Sequence, residues 1–117
     1  MKPKTDRKRL IDRLDALWSR SVKERDFYRC QYCFRSGSQA HHIVGRRNHS
    51  TRWIMANGIT LCPECHAWVH ANPEEFKVDM MRKNGNAYHE LYSLSKVVVQ
   101  YRNPELLEIL ERLKSGG

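Results

Sequence analysis

Two Cys-x-x-Cys pairs, Cys30/Cys33 and Cys62/Cys65, constrain this chain more than any other feature. A tight turn between two thiolates offers two ligands to one tetrahedral ion, so two such turns suit a closed four-sulfur site of the kind zinc occupies. Twenty-eight residues lie between the pairs, more than the roughly 15–20 of a short ribbon. A structural Zn²⁺ on these four sulfurs would staple the ends of a long insertion together. The stretch from Cys30 to His70 holds all four cysteines and five of the six histidines. A redox pair is the other reading of Cys-x-x-Cys, but no thioredoxin-type strand and helix accompanies either one.

The 117 residues fit one domain, 1–117, read as a core over 27–72 with helical flanks at 5–26 and 73–115. Only 40% are hydrophobic, so the core is modest and a structural metal would support it. No run of about 18 apolar residues exists to span a membrane. The basic N-terminus lacks the apolar segment of a secretory signal, so a cytoplasmic location is expected, and a reducing compartment favours metal over disulfides.

The net charge is +8 and unevenly spread. Residues 1–29 hold ten Lys/Arg against five Asp/Glu, residues 30–72 four against one, and residues 73–117 seven of each. The excess lies on the cysteine unit and the segment leading into it. A basic half points to a polyanion such as nucleic acid; a solvated basic helix is the plainer alternative.

Along the chain, Leu10, Ile11, Leu14, Leu17 and Trp18 recur at helical spacing, with Thr5 or Asp6 as cap. Residues 40–44 read as a strand broken by Gly45, 46–50 as an exposed loop, Asn57-Gly58 as a turn and 59–61 as a second strand. Asn72 and Pro73 are expected to cap and open a helix that buries Phe76 and Met80 or Met81 and ends at Gly85. A short helix is expected over 88–95, while residues 96–101 are ambiguous. The last helix opens at Asn103-Pro104 with a stripe of Leu106, Leu107, Leu110 and Leu113. Its stripe and that of the first helix offer enough apolar surface for a homodimer, unless they cover each other.

The histidines carry the functional signal. His41 and His42 are neighbours on a strand and so point to opposite faces; one can serve a metal while the other takes a proton. His66 and His70 are four apart and share a helix face. Together His41-His42, Asn57 through Cys62, and Cys65-His66 with His70 resemble the motif of the HNH nucleases. The Cys-x-x-Cys pairs match the zinc-ribbon subgroup common among phage and restriction-associated enzymes. The pattern covers residues 30–70.

This resemblance implies an α+β, ββα-metal (His-Me finger) fold: two antiparallel strands near 40–44 and 59–61 and a helix from Pro63 to Ala71. It implies a metal-dependent endonuclease that nicks or cleaves DNA with low sequence specificity, leaving 5′-phosphate and 3′-hydroxyl ends. By the same resemblance His41 and His66 hold the catalytic divalent metal, His70 is an additional ligand, His42 is the general base and Asn57 tethers the loop. Many members carry Asp where His41 stands. An imidazole-rich site should favour Mn²⁺, Ni²⁺ or Co²⁺ over Mg²⁺. Arg46, Arg47 and Arg52 are placed to hold the DNA phosphate backbone. The alternative is a non-catalytic zinc-ribbon module that only binds DNA.

Overall fold

A computed structural model describes Pro3 and residues 5–116. The order is α1 (Asp6–Arg25), β1 (Gln39–His42), α2 (His49–Arg52), a 3-10 turn (Met55–Asn57), β2 (Gly58–Leu61), α3 (Pro63–Ala71), α4 (Pro73–Lys83), α5 (Gly85–Ser95) and α6 (Asn103–Lys114). Strands β1 and β2 form an antiparallel hairpin with His41 opposite Ile59 and His42 opposite Gly58. The fold is α+β, and the hairpin with α3 makes a ββα unit.

Strand alternation decides how the helices are distributed. His41, Ile59 and Leu61 face one way, and Ile59 and Leu61 join an apolar cluster with Val69, Phe76, Met80, Tyr88 and Leu91 of α3–α5. Ala40, His42, Gly58 and Thr60 face the other way, toward α1. There Leu10, Leu14, Trp18 and Val22 form a second cluster with Trp53 and with Leu106, Leu110 and Leu113 of α6. Thr5 begins α1 as expected, its hydroxyl accepting from the Lys8 amide at 3.1 Å.

Helix α1 also covers the free edge of β2. Asp26 accepts from the Thr60 amide at 3.0 Å, and the Arg25 guanidinium donates to the Gly58 and Met55 carbonyls, each at 2.7 Å. These bonds occupy backbone groups that a lone hairpin would leave open to another chain.

Several expectations are corrected. The α1 and α6 stripes pack on each other, so the apolar surface that suggested a homodimer is covered within the chain. Leu107 is 47% exposed and stands outside its stripe. Gly85 opens α5 rather than ending α4, because Asn84 accepts from the Ala87 amide and caps the new helix. Asn72 stands at the N-cap position of α4, but its amide donates backward to the Trp68 carbonyl. The 46–50 loop is exposed only through Asn48; Ser50 and Thr51 are buried in α2. Residues 98–102 form no regular element.

Asn57-Gly58 is not a hairpin turn either. Gly58 has ordinary extended backbone, φ −123° and ψ 146°. Its missing side chain makes room: a Cβ there would lie 2.7 Å from Trp18 Cζ2 and closer still to Val22. Gly58→Ala should therefore push α1 off the hairpin and cost about 1–3 kcal/mol, as overpacking does. Urea unfolding checks this; an unchanged midpoint would show that α1 yields freely.

Candidate metal centre

The first knuckle closes as a small hairpin, with the Cys30 amide donating to the Arg35 carbonyl at 2.7 Å and the Gln31 amide to Thr60 of β2 at 2.9 Å. The second knuckle is the N-terminus of α3. Cys62 is its cap, Pro63 follows, and the Cys65 amide donates to Cys62 Sγ at 3.4 Å. The four sulfurs all lie within 4.8 Å of one another, a spacing and ligand set that suit one tetrahedral zinc. Burial raises the Cys30 thiol, but the amides of Cys33, Cys62 and Tyr32 outweigh it and lower its pKa to about 6. Burial and the neighbouring sulfurs push Cys65 up. Close thiols resist joint ionisation until a cation shares their charge.

A second cluster lies on the β1 side of α3. Ring nitrogens of His41, His66 and His70 are within 4.8 Å of one another. The helix repeat stacks His66 above His70, and the His41 ring meets both edge-on, with centroids 5.3 and 5.0 Å away. His66 Nε2 and His70 Nε2 are 3.1 Å apart. Two neutral lone pairs do not face each other at that distance without a proton or a cation between them. Burial first, then the neighbouring histidines, lowers the pKa of His41 to about 4, which keeps its imidazole neutral and able to donate a lone pair. The donor set thus fits a divalent transition metal.

His42 points away from that cluster, as strand alternation requires. Its ring stacks on Trp18 at a centroid distance of 3.9 Å and 7° between planes. Its Nε2 is 2.9 Å from the Arg52 carbonyl oxygen. A carbonyl only accepts, so Nε2 carries the hydrogen and Nδ1 keeps the lone pair. Burial lowers the His42 pKa, and the Arg46 and Arg52 charges add to that against the carbonyl bond. His41, His42 and His70 all line one cleft of about 430 Å³, together with residues of α4 and α5.

Asn57 is fully buried. Its Oδ1 accepts from the Val44 amide at 2.8 Å, and its Nδ2 donates to the Val44 and Thr51 carbonyls at 3.1 and 3.0 Å. Both ends of the 44–51 loop are tied to it, and Arg52, whose carbonyl holds His42, comes next.

The arginines differ. Arg47 and Arg46 are exposed, although Arg46 lies 3.5 Å from Asp15. Arg52, expected on the phosphate backbone, is only 12% exposed and forms a two-pronged pair with Asp15 at 3.0 and 2.6 Å. This pair anchors the loop to α1. Asp15 also accepts from Trp53 Nε1 at 2.8 Å. The roles of Asp15 and Trp18 were not visible in sequence: one was an acid among five in the first 29 residues, the other a member of an apolar stripe.

A strand pair and helix framing a histidine cluster, stapled by four cysteines, define a metal-binding ββα unit. The family model for the HNH endonucleases matches residues 30–72, and the chain belongs to that family. It is also similar to the protein named Anaredoxin from Nostoc sp. (strain PCC 7120 / SAG 25.82 / UTEX 2576). The two are 34% identical over 65 residues, 54% of this chain and 82% of that protein. No solved structure matches.

Removing metal from the cysteine site, by strong chelation or by Cys62→Ser, should lower the melting temperature by more than about 10 °C, since metal binding and folding are coupled at such sites. Calorimetry with metal analysis checks this, and an unchanged melting temperature after complete zinc removal would refute it.

The Asp15 link should show in acid. Burial raises this carboxyl, but hydrogen bonds from Arg52 and Trp53 and the arginine charges bring it below its ordinary value. A carboxylate with a depressed folded pKa stabilises above the unfolded value, about 3.9, and loses that contribution as pH falls through the folded one. The stability gap between wild type and Asp15→Asn should thus hold from about pH 6 to about pH 4 and shrink below. A gap independent of pH would rule out a role for the charge.

Proposed function

We propose that this protein is a metal-dependent DNA endonuclease that nicks or cleaves with low sequence specificity. The observation that carries the reading is the trio His41, His66 and His70, converging within 4.8 Å, beside a fourth histidine held by Trp18 and the Arg52 carbonyl. Phosphodiester hydrolysis needs an activated water and stabilisation of negative charge. A divalent ion, when bound, supplies positive charge against the charge that develops on phosphate and leaving oxygen.

The chain's own residues do the rest. His41, His66 and His70 would hold the ion as neutral imidazoles. His42 takes a proton from water at Nδ1, while its Nε2–H stays on the Arg52 carbonyl. Oxygen from that water forms the new bond to phosphorus, the bond to the 3′ oxygen breaks, and the 3′ oxygen gains a proton from solvent. Asn57 acts as a positioning residue, since it touches only backbone. Arg46 and Arg47 meet the phosphate backbone.

Imidazole ligation favours Mn²⁺, Ni²⁺ or Co²⁺ over Mg²⁺. Plasmid nicking should follow that order for the wild type, and His41→Asp should shift the preference toward Mg²⁺. His42→Ala should keep metal affinity and lose about 10²–10⁴-fold in turnover, whereas His66→Ala should weaken both. Highest wild-type activity in Mg²⁺ together with an active His42→Ala would remove both assignments. No nicking with any metal would favour a zinc-ribbon module that binds DNA without cutting it.

A redox role is the second reading, prompted by the name of the Nostoc relative. Four thiolates at this spacing suit iron as well as zinc. Metal analysis and the visible spectrum of the purified protein separate the two: zinc is colourless, and an iron–thiolate site is not.

A further inference from the structure

The cleft beside the histidine trio has a second set of charges, contributed by helices outside the 30–72 match. Lys77 of α4 and Lys96, at the C-terminal end of α5, line it together with Tyr92, in company with His41, His70 and Asn48. Both ammonium groups lie over the same Tyr92 ring, 5.9 Å from its centroid for Lys77 and 4.7 Å for Lys96. Neither has a carboxylate partner among the described residues, in contrast to Lys8 and Lys114, which pair with Asp12 and Glu111.

The segment that supplies these lysines has no net charge, with seven basic and seven acidic residues. Its positive charge is concentrated by placement, not by composition. A ring face attracts a cation without neutralising it, so Tyr92 gathers two lysines and leaves their charge available in the cleft. All three side chains are exposed, so an incoming anion does not have to displace buried groups.

We propose that Lys77 and Lys96 form a phosphate-binding subsite for the nucleic-acid strand that enters the histidine cleft, contacting phosphates next to the one cut. This rests on the nuclease reading for the identity of the strand. The two lysines bind and do not react. Tyr92 positions them and touches no substrate.

The test uses full-length, zinc-loaded protein and a duplex oligonucleotide, with no other divalent metal added. Fluorescence anisotropy gives the affinity as a function of salt. Each lysine that meets a phosphate contributes about 0.9 to the slope of log K against log salt. Lys77→Gln and Lys96→Gln should each make the slope shallower by about 0.9, and the double variant by about 1.8. Lys77→Arg and Lys96→Arg should restore it. Lys114→Gln, outside the cleft, should leave it unchanged. Where the wild type nicks plasmid, the double Gln variant should raise KM and keep kcat within about twofold, with bound metal unchanged.

A slope in the double Gln variant equal to that of the wild type overturns the subsite. A wild type that cuts DNA with this result leaves the nuclease reading standing. Conversely, a wild type that never cuts removes the nuclease reading, and the slopes still decide whether DNA lies against Lys77 and Lys96.

Discussion

Adjacent residues on a strand cannot share a face, and this chain places a histidine at each of two adjacent positions. Everything around the hairpin follows from that constraint. His41 needs a wall that brings other imidazoles to it, and α3 supplies one because His66 and His70 are four residues apart. His42 needs a different wall, which the Trp18 ring on α1 provides. A two-stranded sheet has two faces and nothing more to offer, so one helical layer lies on each side. Among the described residues, two apolar clusters form those layers. Gly58 marks how closely the second layer approaches, since even a methyl group there would meet Trp18 and Val22.

The family-like core was the legible portion of this sequence, and the reason is covalent spacing. Ligands that sit within one turn of each other, such as Cys30 with Cys33 or His66 with His70, have their geometry set by local backbone. The two strands fell close to where β-branched residues and their glycine neighbours put them, and α3 runs where the family resemblance implies it. What could not be read was any contact whose partner is distant in the chain. Asp15 is one of five acids in the first 29 residues, and nothing local singles it out as the partner of Arg52, 37 positions away. Lys77 and Lys96 are similarly ordinary until a fold brings them over one ring. The Arg52 pairing was hidden for the same reason: a charge judged by its loop looked free, while its partner sat on another helix. Asn57-Gly58 misled differently, because the pair most favoured in tight turns serves here for an amide's three bonds and for the space beside a glycine.

The loop between the strands is held by polar groups as well as by the packing of Val44 and Trp53. Asn57 ties Val44 and Thr51, Asp15 ties Arg52 and Trp53, and Ser50 donates to the Leu94 carbonyl. Buried polar contacts of this kind stabilise modestly when complete and cost much when one partner is lost. They accept few alternative arrangements, which suits a segment whose purpose is to present one atom at one place. The apolar clusters stabilise the layers, and the polar ties set the loop's register between them.

One consequence concerns how the chain can drift under mutation. The group that fixes the His42 tautomer is a main-chain oxygen at Arg52, and no side-chain replacement at position 52 deletes it. The genetic code has no codon that removes a carbonyl. Replacement at position 52 leaves the acceptor itself in place, and the vulnerability moves to the side chains that hold the loop, Asn57, Asp15 and the Arg52 guanidinium that pairs with it. A survey of variants that judged importance by side-chain contact with His42 would pass over the atom that orients it. Sensitivity would surface instead at sites that never meet the ring, with Asn57, buried beneath the loop, among the most exacting.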